Sequence, residues 1–289
     1  MKAQAPCKTN LFLEVRGKRL DGYHELDTVF AELDLMDDLD LEPSSTLEVI
    51  SEGDPTVPSG PENLVWRAAH ALRTRAGRPD LGARIRITKR VPSGGGLGGG
   101  SSDAAVALVA LDRLWGLALG ARTLEEVAAT IGSDCPFFVR GGLQRGTGRG
   151  ERLEALPGPG RALDLVLLVP QASCPTPQVY KALAPHLGPP LHEPDALLAA
   201  LAADDREGVA RALWNRLEKP CFELFPTVAR AKGDLEKRGL LGCPLSGSGA
   251  TVFGVARDRE HAESVATKLQ REGARAFAVR AGVVNPRLR

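Results

Sequence analysis

The sequence lacks an excess of charge of either sign. Its 37 Lys and Arg residues nearly balance its 36 Asp and Glu residues, which leaves a formal net charge of +1 at pH 7. Proteins that bind nucleic acids or anionic membranes usually carry a marked excess of Lys and Arg. We therefore expect neither nucleic acid nor a membrane as a partner, and a small-molecule substrate instead.

The sequence also lacks the patterns of a secreted, zinc-bound or membrane-spanning protein. Its five Cys are odd in number and widely spaced, without a C-x-x-C pair, which argues against a disulfide framework and a structural zinc site. The longest apolar run, at 162–170, is about half a membrane span and contains Asp164. The opening residues, MKAQAPCKTN, lack the apolar segment of a signal peptide. We expect a cytoplasmic protein.

Strands and helices are mixed without a regular βαβ rhythm, which favours the α+β class. Four short alternating runs within 11–50 predict antiparallel strands. The other predicted elements before residue 140 are a helix at 63–76 with Asn63 as its N-cap, a strand at 83–91, a helix at 101–115 capped by Ser or Asp, and a helix at 123–131.

Residues 141–161 contain seven Gly and two Pro, which indicates a domain boundary or a hairpin. The pattern then begins again with a strand, LDLVLLV, and a mostly helical stretch to about 238. Two strands around a Gly/Ser turn at 243–256, a helix at 258–271 and a strand at 274–283 follow. We predict two domains, at 1–152 and 153–289.

The segment at 92–103, PSGGGLGGGSSD, lies between a predicted strand and a predicted helix. The first backbone N–H groups of a helix have no partner within it, and the helix dipole adds partial positive charge there. Glycine lets these donors approach an anion without a Cβ in the way. The loop is therefore predicted to bind phosphate, and the alternative is a mobile surface loop without a ligand.

Several phosphate-binding loops contain this much glycine. Gly94, Gly96 and Gly99 satisfy the dinucleotide fingerprint G-x-G-x-x-G, but two predicted helices follow, and the expected strand with an acidic residue is missing. A Walker A loop requires a Lys after its last Gly, and a protein kinase requires H-R-D and D-F-G motifs. Neither pattern occurs.

The segment resembles the phosphate loop of the GHMP family of small-molecule kinases. In that family a Pro is followed by Gly-Leu-Gly, two Ser and an Ala, which here are Pro92, Gly96-Leu97-Gly98, Ser101-Ser102 and Ala104-Ala105. The additional Gly99-Gly100 departs from the general pattern. The longer string GGGLGGGSSDAA resembles the branch that phosphorylates 4-diphosphocytidyl-2-C-methyl-D-erythritol in the non-mevalonate isoprenoid pathway.

Further segments between residues 5 and 251 resemble the same branch. APCKTNLFL contains Lys8 and Asn10, and RLDGYHELDTVF contains Tyr23 and His24. GSDCPFF contains Asp134, and the other two segments are PTP at 175–177, followed by Tyr180, and SGSGAT at 246–251.

The resemblance implies a two-domain α+β fold. Its N-terminal domain would hold a mixed sheet with helices, ribosomal protein S5 domain 2-like, and its C-terminal domain an antiparallel sheet with helices. The resemblance also implies ATP and Mg²⁺ as cofactors, with the metal ligands unassigned. The residues expected to bind ATP are Asn63, Lys89, Pro92, Ser93, Gly94, Gly95, Gly96, Leu97, Gly98, Gly99, Gly100, Ser101 and Ser102.

The same resemblance assigns catalysis to Lys8 and Asp134. The acceptor would be the cytidine diphosphate-linked methylerythritol, bound by Asn10, Tyr23, His24, Thr176, Pro177 and Tyr180. Without the family pattern, these residues could equally have a purely structural role. Lys8 would be a solvated Lys, Asp134 a turn Asp, and Tyr23 with His24 a half-buried aromatic pair. Three other functions stay open: a GHMP kinase acting on homoserine or mevalonate, a nucleotide-binding oxidoreductase, and a non-catalytic relative.

Overall fold

The computed structural model describes residues 1–158, 160–282 and 287–288. Within its N-terminal part the elements are β1 (Lys2–Lys18), β2 (His24–Ser44), β3 (Leu47–Glu52), α1 (Leu64–Arg75), β4 (Gly82–Thr88), α2 (Gly99–Leu114), α3 (Gly120–Ile131), α4 (Cys135–Arg140), β5 (Leu143–Gly148) and β6 (Arg152–Ala155). Short 3-10 helices lie at Gly60–Glu62 and Ala184–His186.

The C-terminal part continues the alternation of strands and helices. Its elements are β7 (Leu163–Val169), α5 (Thr176–Leu183), α6 (Asp195–Ala202), α7 (Arg206–Ala212), β8 (Trp214–Asn215), α8 (Glu218–Leu224), α9 (Pro226–Glu236), β9 (Val252–Val255), α10 (Arg259–Arg271) and β10 (Arg275–Ala281). The predicted α+β class is confirmed. Residue 283, the end of the last predicted strand, lies outside the described residues.

Strand β2 is the central strand of the N-terminal sheet. It is antiparallel to β1 along most of its length, to β5 over Leu26–Ala31 and to β4 over Asp38–Ser44. Two of the alternating runs therefore form one continuous strand. The run containing β3 was expected to be antiparallel and is not, because β3 pairs in parallel with β4. Helix α1 lies between these two strands in the chain and provides the crossover that a parallel pair needs.

The C-terminal strands β7, β9 and β10 form an antiparallel sheet in which β7 is central. This sheet joins β2 through the pair Ala281 and Leu33, and β8 pairs in parallel with β1. The expected strand before the Gly/Ser turn is reduced to an isolated bridge between Leu245 and Val252. The chain around that turn instead packs against the Gly-rich loop.

Local signals explain how the two helices nearest the loop begin. Asn63 caps α1 as predicted, since its side chain accepts a hydrogen bond from Val65 N. Helix α2 begins two residues earlier than predicted and is preceded by Gly98 at φ 70°, not by a Ser or Asp cap. The hydroxyl of Ser102 donates to the carbonyl of Pro6 at 2.6 Å instead of capping the helix.

Helix α2 is buried around most of its circumference. The small side chains of Ala104, Ala105, Ala107 and Ala110 let α1, α3 and α4 pack closely against it. Together these helices form one hydrophobic cluster over the sheet. A second cluster lies under α9 and α10, and a third contains Leu11, Leu165 and Phe253. The hairpin of β5 and β6 crosses the predicted boundary between 152 and 153, and that boundary stays a prediction.

The described helices include none with the length and apolar character needed to cross a membrane. All five cysteines lie in the described part of the chain, and each is buried and free. The Sγ atoms of Cys174 and Cys221 are 3.8 Å apart.

Asp27 connects three elements of the N-terminal part by a buried ion pair. Its carboxylate is 1% exposed and accepts hydrogen bonds from Arg16 of β1 at 2.6 Å and from Arg145 of β5 at 2.9 and 2.8 Å. Burial alone would raise the pKa of Asp27, but the bonds from Arg145 and Arg16 outweigh it and hold the pKa below its ordinary value.

We predict that Asp27→Asn lowers the free energy of unfolding at pH 7 by about 2–3 kcal/mol, because charged hydrogen bonds are lost. A carboxylate with a lowered folded pKa stabilises the protein above its unfolded value, about 3.9, and this contribution disappears as the pH falls through the folded pKa. Urea unfolding of both proteins at pH 7 and pH 3 should show a smaller difference at pH 3. An equal difference at both pH values would contradict the assignment.

Candidate active site

The Gly-rich loop leaves β4 and enters α2 with three glycines at positive φ: Gly94 at 70°, Gly96 at 75° and Gly98 at 70°. A Cβ on Gly96 would lie 2.1 Å from the carbonyl oxygen of Ser246. A Cβ on Gly98 would lie 3.0 Å from the Phe138 ring and 3.2 Å from Lys8 Cε. Glycine is thus required at these two positions by conformation and by close approach of neighbouring chain.

The carbonyl groups of the loop are bound by the rest of the protein. Lys8 N donates to Leu97 O at 2.9 Å, Ser246 Oγ to Gly96 O at 3.1 Å and Thr251 N to Gly95 O at 3.2 Å. The intrahelical bonds of α2 begin with Ser102 N to Gly98 O at 2.9 Å. The N–H groups just before Ser102 therefore lie at a helix N-terminus, where they suit an anionic group.

A cavity of about 340 Å³ lies beside the loop. Its lining contains residues predicted to bind ATP, namely Asn63, Lys89, Pro92, Ser93, Gly94, Gly95, Gly96, Leu97, Gly98, Gly99, Gly100 and Ser101. Thr56, Val57 and Pro58 form another part of the wall, and sequence patterns gave no sign of them. Ser102 is absent from this lining, because its side chain is buried against Pro6.

Two of the lining residues use their side chains to hold the protein itself. Asn63 accepts from Val65 N at 2.8 Å and donates to Pro58 O at 2.7 Å. The Lys89 ammonium lies between two buried carboxylates, those of Asp37 and Asp103. Burial raises the pKa of Asp103, and the charge of Lys89 opposes this shift. These side chains therefore shape the wall of the cavity.

Lys8 and Asp134 lie together at the end of the loop. Lys8 Nζ is 3.5 Å from Asp134 Oδ2 and donates to Asn10 Oδ1 at 2.8 Å. The side chain of Lys8 is 4% exposed and that of Asp134 is 36% exposed. Asp134 precedes α4 but makes no side-chain capping bond, so its carboxylate is available to a reactant.

The residues predicted to bind the acceptor form a neighbouring group. The rings of His24 and Tyr180 are stacked with centroids 4.7 Å apart, and Tyr23 is 52% exposed. Burial and then the charge of Asp134 raise the pKa of Tyr180, which relates this group to the Lys8–Asp134 pair. Burial and then the charge of Lys18 lower the pKa of His24.

Thr176 and Asn10 connect the acceptor group to other polar side chains. Thr176 Oγ1 is 2.7 Å from Ser248 Oγ, and Pro177 is the next residue in the first turn of α5. Asn10 Nδ2 donates to Thr28 Oγ1 at 2.7 Å, and Thr28 donates in turn to Phe12 O. The structure thus brings segments from both halves of the chain to one site.

Family models match two parts of this chain, and known proteins match it over nearly its whole length. The model for the GHMP kinase N-terminal domain matches residues 63–142, and the model for the C-terminal domain matches residues 197–275. The 4-diphosphocytidyl-2-C-methyl-D-erythritol kinase of Pelotomaculum thermopropionicum is 42% identical over 288 residues, which cover 99% of each chain. The relative of the same name from Thermus thermophilus is 43% identical over 279 residues, covering 96% of this chain and 95% of its own.

The chain belongs to the GHMP kinases. Among its members, the chain is similar to 4-diphosphocytidyl-2-C-methyl-D-erythritol kinases over nearly its whole length. A crystal structure of 4-(cytidine 5'-diphospho)-2C-methyl-D-erythritol kinase has a TM-score of 0.84 at 42% identity and covers 98% of this chain and 100% of its own. Homoserine kinase from Cytophaga hutchinsonii has a TM-score of 0.76 at 19% identity, covering 99% and 95% of the two chains, which shows the common fold alone. The predicted two-domain GHMP-kinase architecture is confirmed.

Membership of the GHMP kinases makes the chain an ATP-dependent kinase.

The site also contains residues that the sequence patterns did not single out. No sequence motif around Asp37 indicated that this residue belongs to the site. Asp103 stood within the quoted loop segment, next to the Ser pair. Ser246 and Thr251 lay in a recognised motif, but their contacts with the loop carbonyls depend on how the two halves of this GHMP kinase meet.

Gly94 and Gly98 have the same φ of 70° but different surroundings, which makes them a matched pair. A Cβ on Gly94 meets nothing within 4 Å, whereas one on Gly98 meets Phe138 and Lys8. We predict that Gly94→Ala lowers stability by about 1 kcal/mol, the ordinary cost of positive φ. Gly98→Ala should cost at least as much, since the Phe138 ring must also give way, and should lower kcat about 10-fold or more, since Lys8 must shift.

The two variants are compared by steady-state kinetics and by thermal unfolding. The interpretation requires a larger loss of kcat in Gly98→Ala than in Gly94→Ala at a temperature at which both variants are folded. Equal kinetics in the two variants would show that contact with Lys8 is unimportant.

Proposed function

We propose that this GHMP kinase transfers the γ-phosphoryl group of ATP to the 2-hydroxyl of 4-diphosphocytidyl-2-C-methyl-D-erythritol. The observation that carries the proposal is the Lys8–Asp134 pair, 3.5 Å apart, at the junction of the Gly-rich loop and the aromatic group. The names of the full-length relatives support the choice of acceptor.

ATP binds with its phosphates along 92–101 and its adenosine in the adjoining cavity. The N–H groups at the start of α2 face negative charge, and the helix dipole adds to the attraction. Asn63 and Lys89 line the adenosine side of this cavity. Their role there is to shape the wall, because both side chains are hydrogen-bonded within the protein.

Mg²⁺ accompanies the nucleotide in this proposal. The described residues hold no group of three or more His, Cys, Asp or Glu side chains arranged for a metal ion. Mg²⁺ commonly keeps several waters and binds through substrate phosphates with one or two carboxylates, so such a group is not required. The ion would neutralise charge on the phosphate oxygens.

The chemical step depends on two protein groups. Asp134 accepts the proton of the acceptor hydroxyl as its oxygen forms a bond to the γ-phosphorus, and the bond from that phosphorus to the ADP oxygen breaks. Lys8 pairs with Asp134 and stabilises negative charge on the phosphoryl oxygens. Asn10 fixes the Lys8 ammonium through its 2.8 Å hydrogen bond.

The acceptor lies along Asn10, Tyr23, His24, Thr176, Pro177 and Tyr180. Its cytosine stacks near Tyr23, His24 and Tyr180, which offer aromatic faces and a ring nitrogen for the base edge. The stack of His24 on Tyr180 supports this placement, since it holds the imidazole in one orientation. We further propose that residues 1–152 form the nucleotide-binding and catalytic domain, that 153–289 form the second domain, and that the enzyme works in the cytoplasm.

Asp134→Asn keeps the shape of the side chain and removes the base. We predict that kcat falls by about 10²-fold or more, the usual scale for loss of a general base, while ATP affinity is largely retained. ADP release and ATP binding are measured separately. Glu126→Gln, an exposed carboxylate on α3, is the matched control and should leave kcat unchanged. Normal turnover in Asp134→Asn would remove this residue from the mechanism.

Tyr23→Ala should weaken use of the acceptor by about 5- to 150-fold, because stacking is worth roughly 1–3 kcal/mol per base. The KM for ATP should not change, and Tyr23→Phe should retain most activity. Wild-type enzyme is also assayed with bare methylerythritol, homoserine and mevalonate. Efficient phosphorylation of any of these would refute the proposed acceptor and leave membership of the GHMP kinases intact.

A further inference from the structure

A buried cluster of three charged side chains lies beneath the phosphate loop, and the mechanism above does not use it. Lys89 Nζ is 2.5 Å from Asp37 Oδ2 and 2.6 Å from Asp103 Oδ2. The side chains are 2%, 0% and 3% exposed, in that order. One ammonium group therefore serves two carboxylates, and all three side chains are almost completely buried.

The cluster connects both ends of the loop to one point. Asp37 Oδ1 also accepts from the backbone N–H groups of Arg90 at 2.5 Å and Val91 at 2.8 Å, which lead into the loop. Asp103 lies in the first turns of α2, just after the loop. Asp37 itself belongs to β2, the central strand of the sheet. The entrance and the exit of the loop are thus tied together and to the sheet.

The chemistry of the cluster makes it sensitive to the loss of a partner. Among the described residues Asp103 Oδ1 has no hydrogen-bond partner, so the polar link between Asp103 and the cluster depends on Oδ2 and Lys89. The Arg90 side chain pairs with Asp38 at the surface and does not join the cluster. Removal of one member of a buried ion pair leaves the other charge without compensation.

We propose that Asp37, Lys89 and Asp103 form a clamp that fixes the distance between the two ends of the phosphate loop, which makes Asp37 and Asp103 positioning residues for ATP. This inference rests on the proposal that the loop binds the phosphates of ATP. Donors held in place before binding do not have to be ordered by the ligand, so the clamp increases affinity for the nucleotide.

A positioning role for the clamp can be distinguished from a general role in stability by its effect on the kinetics. Lys8 and Asp134 approach the loop from β1 and from the start of α4. Within the described part of the chain, neither shares a hydrogen bond or ion pair with the cluster. Loosening the clamp should therefore raise the KM for ATP far more than it changes kcat or the KM for the acceptor.

The test compares Asp103→Ala with the conservative variant Asp103→Asn, which keeps a side-chain oxygen for Lys89. In Asp103→Ala we expect the KM for ATP to rise about 10-fold, the effect of one lost charged hydrogen bond, and amides 94–101 to exchange hydrogen faster in the free enzyme. Asp103→Asn should stay within about 3-fold of the wild type in both measurements. Asp38→Ala, one residue from Asp37 and outside the cluster, is the matched control and should resemble the wild type.

If Asp103→Ala does not fold, the triple variant Asp37→Asn with Lys89→Met and Asp103→Leu takes its place. It removes all three charges together, which buried ion clusters often tolerate, and keeps an oxygen for the N–H groups of Arg90 and Val91. It should show the same raised KM for ATP and faster exchange in the loop. Unchanged ATP kinetics and exchange in either variant would overturn the clamp, as would an equal loss in Asp103→Asn. A wild type that does not use ATP would instead refute the proposed function, while the exchange experiment would still test the clamp.

Discussion

The contact between the Gly-rich loop and the chain on either side of it determines the geometry of the whole site. The loop carbonyls of Gly95, Gly96 and Leu97 accept hydrogen bonds from the turn at 246–251 and from β1. No Cβ fits at Gly96, because the carbonyl oxygen of Ser246 would be only 2.1 Å away. With its carbonyls bound to protein, the segment can present N–H groups at the start of α2 to an anion.

The same contact brings the two halves of the chain to the catalytic pair. The backbone N–H of Lys8 binds Leu97 O, which places the Lys8 side chain beside Gly98 and opposite Asp134. A Cβ on Gly247 would lie 3.5 Å from Lys8 Nζ, so the turn from the C-terminal half also borders this ammonium. Burial of Lys8 is tolerated because Asn10 accepts a hydrogen bond from its ammonium group and Asp134 carries the opposite charge.

Sequence patterns predicted elements where local physics is sufficient. The strand LDLVLLV was expected at Leu163–Val169 and is observed there, since a continuous apolar run suits a strand buried on both faces. The cap at Asn63 follows from a side chain that can reach Val65 N two residues ahead. The expected cap of α2 was wrong, because the nearby Ser102 hydroxyl binds Pro6, 96 residues away in the chain. The parallel pairing of β3 with β4 likewise depends on a crossover that alternation cannot reveal.

The sequence by itself determined the α+β class, the loop and its family, because glycine content, periodicity and motif spacing are properties of short segments. Tertiary structure alone decided how the ionisable residues are used. Lys89, read from the sequence as a contact of ATP, is enclosed by Asp37 and Asp103, which are 52 and 14 residues away. Lys8 meets Asp134 only because β1 and α4 lie on opposite sides of the same loop. The strength of an ion pair depends on the distance between its charges and on the exclusion of water, and the order of residues along the chain reveals neither.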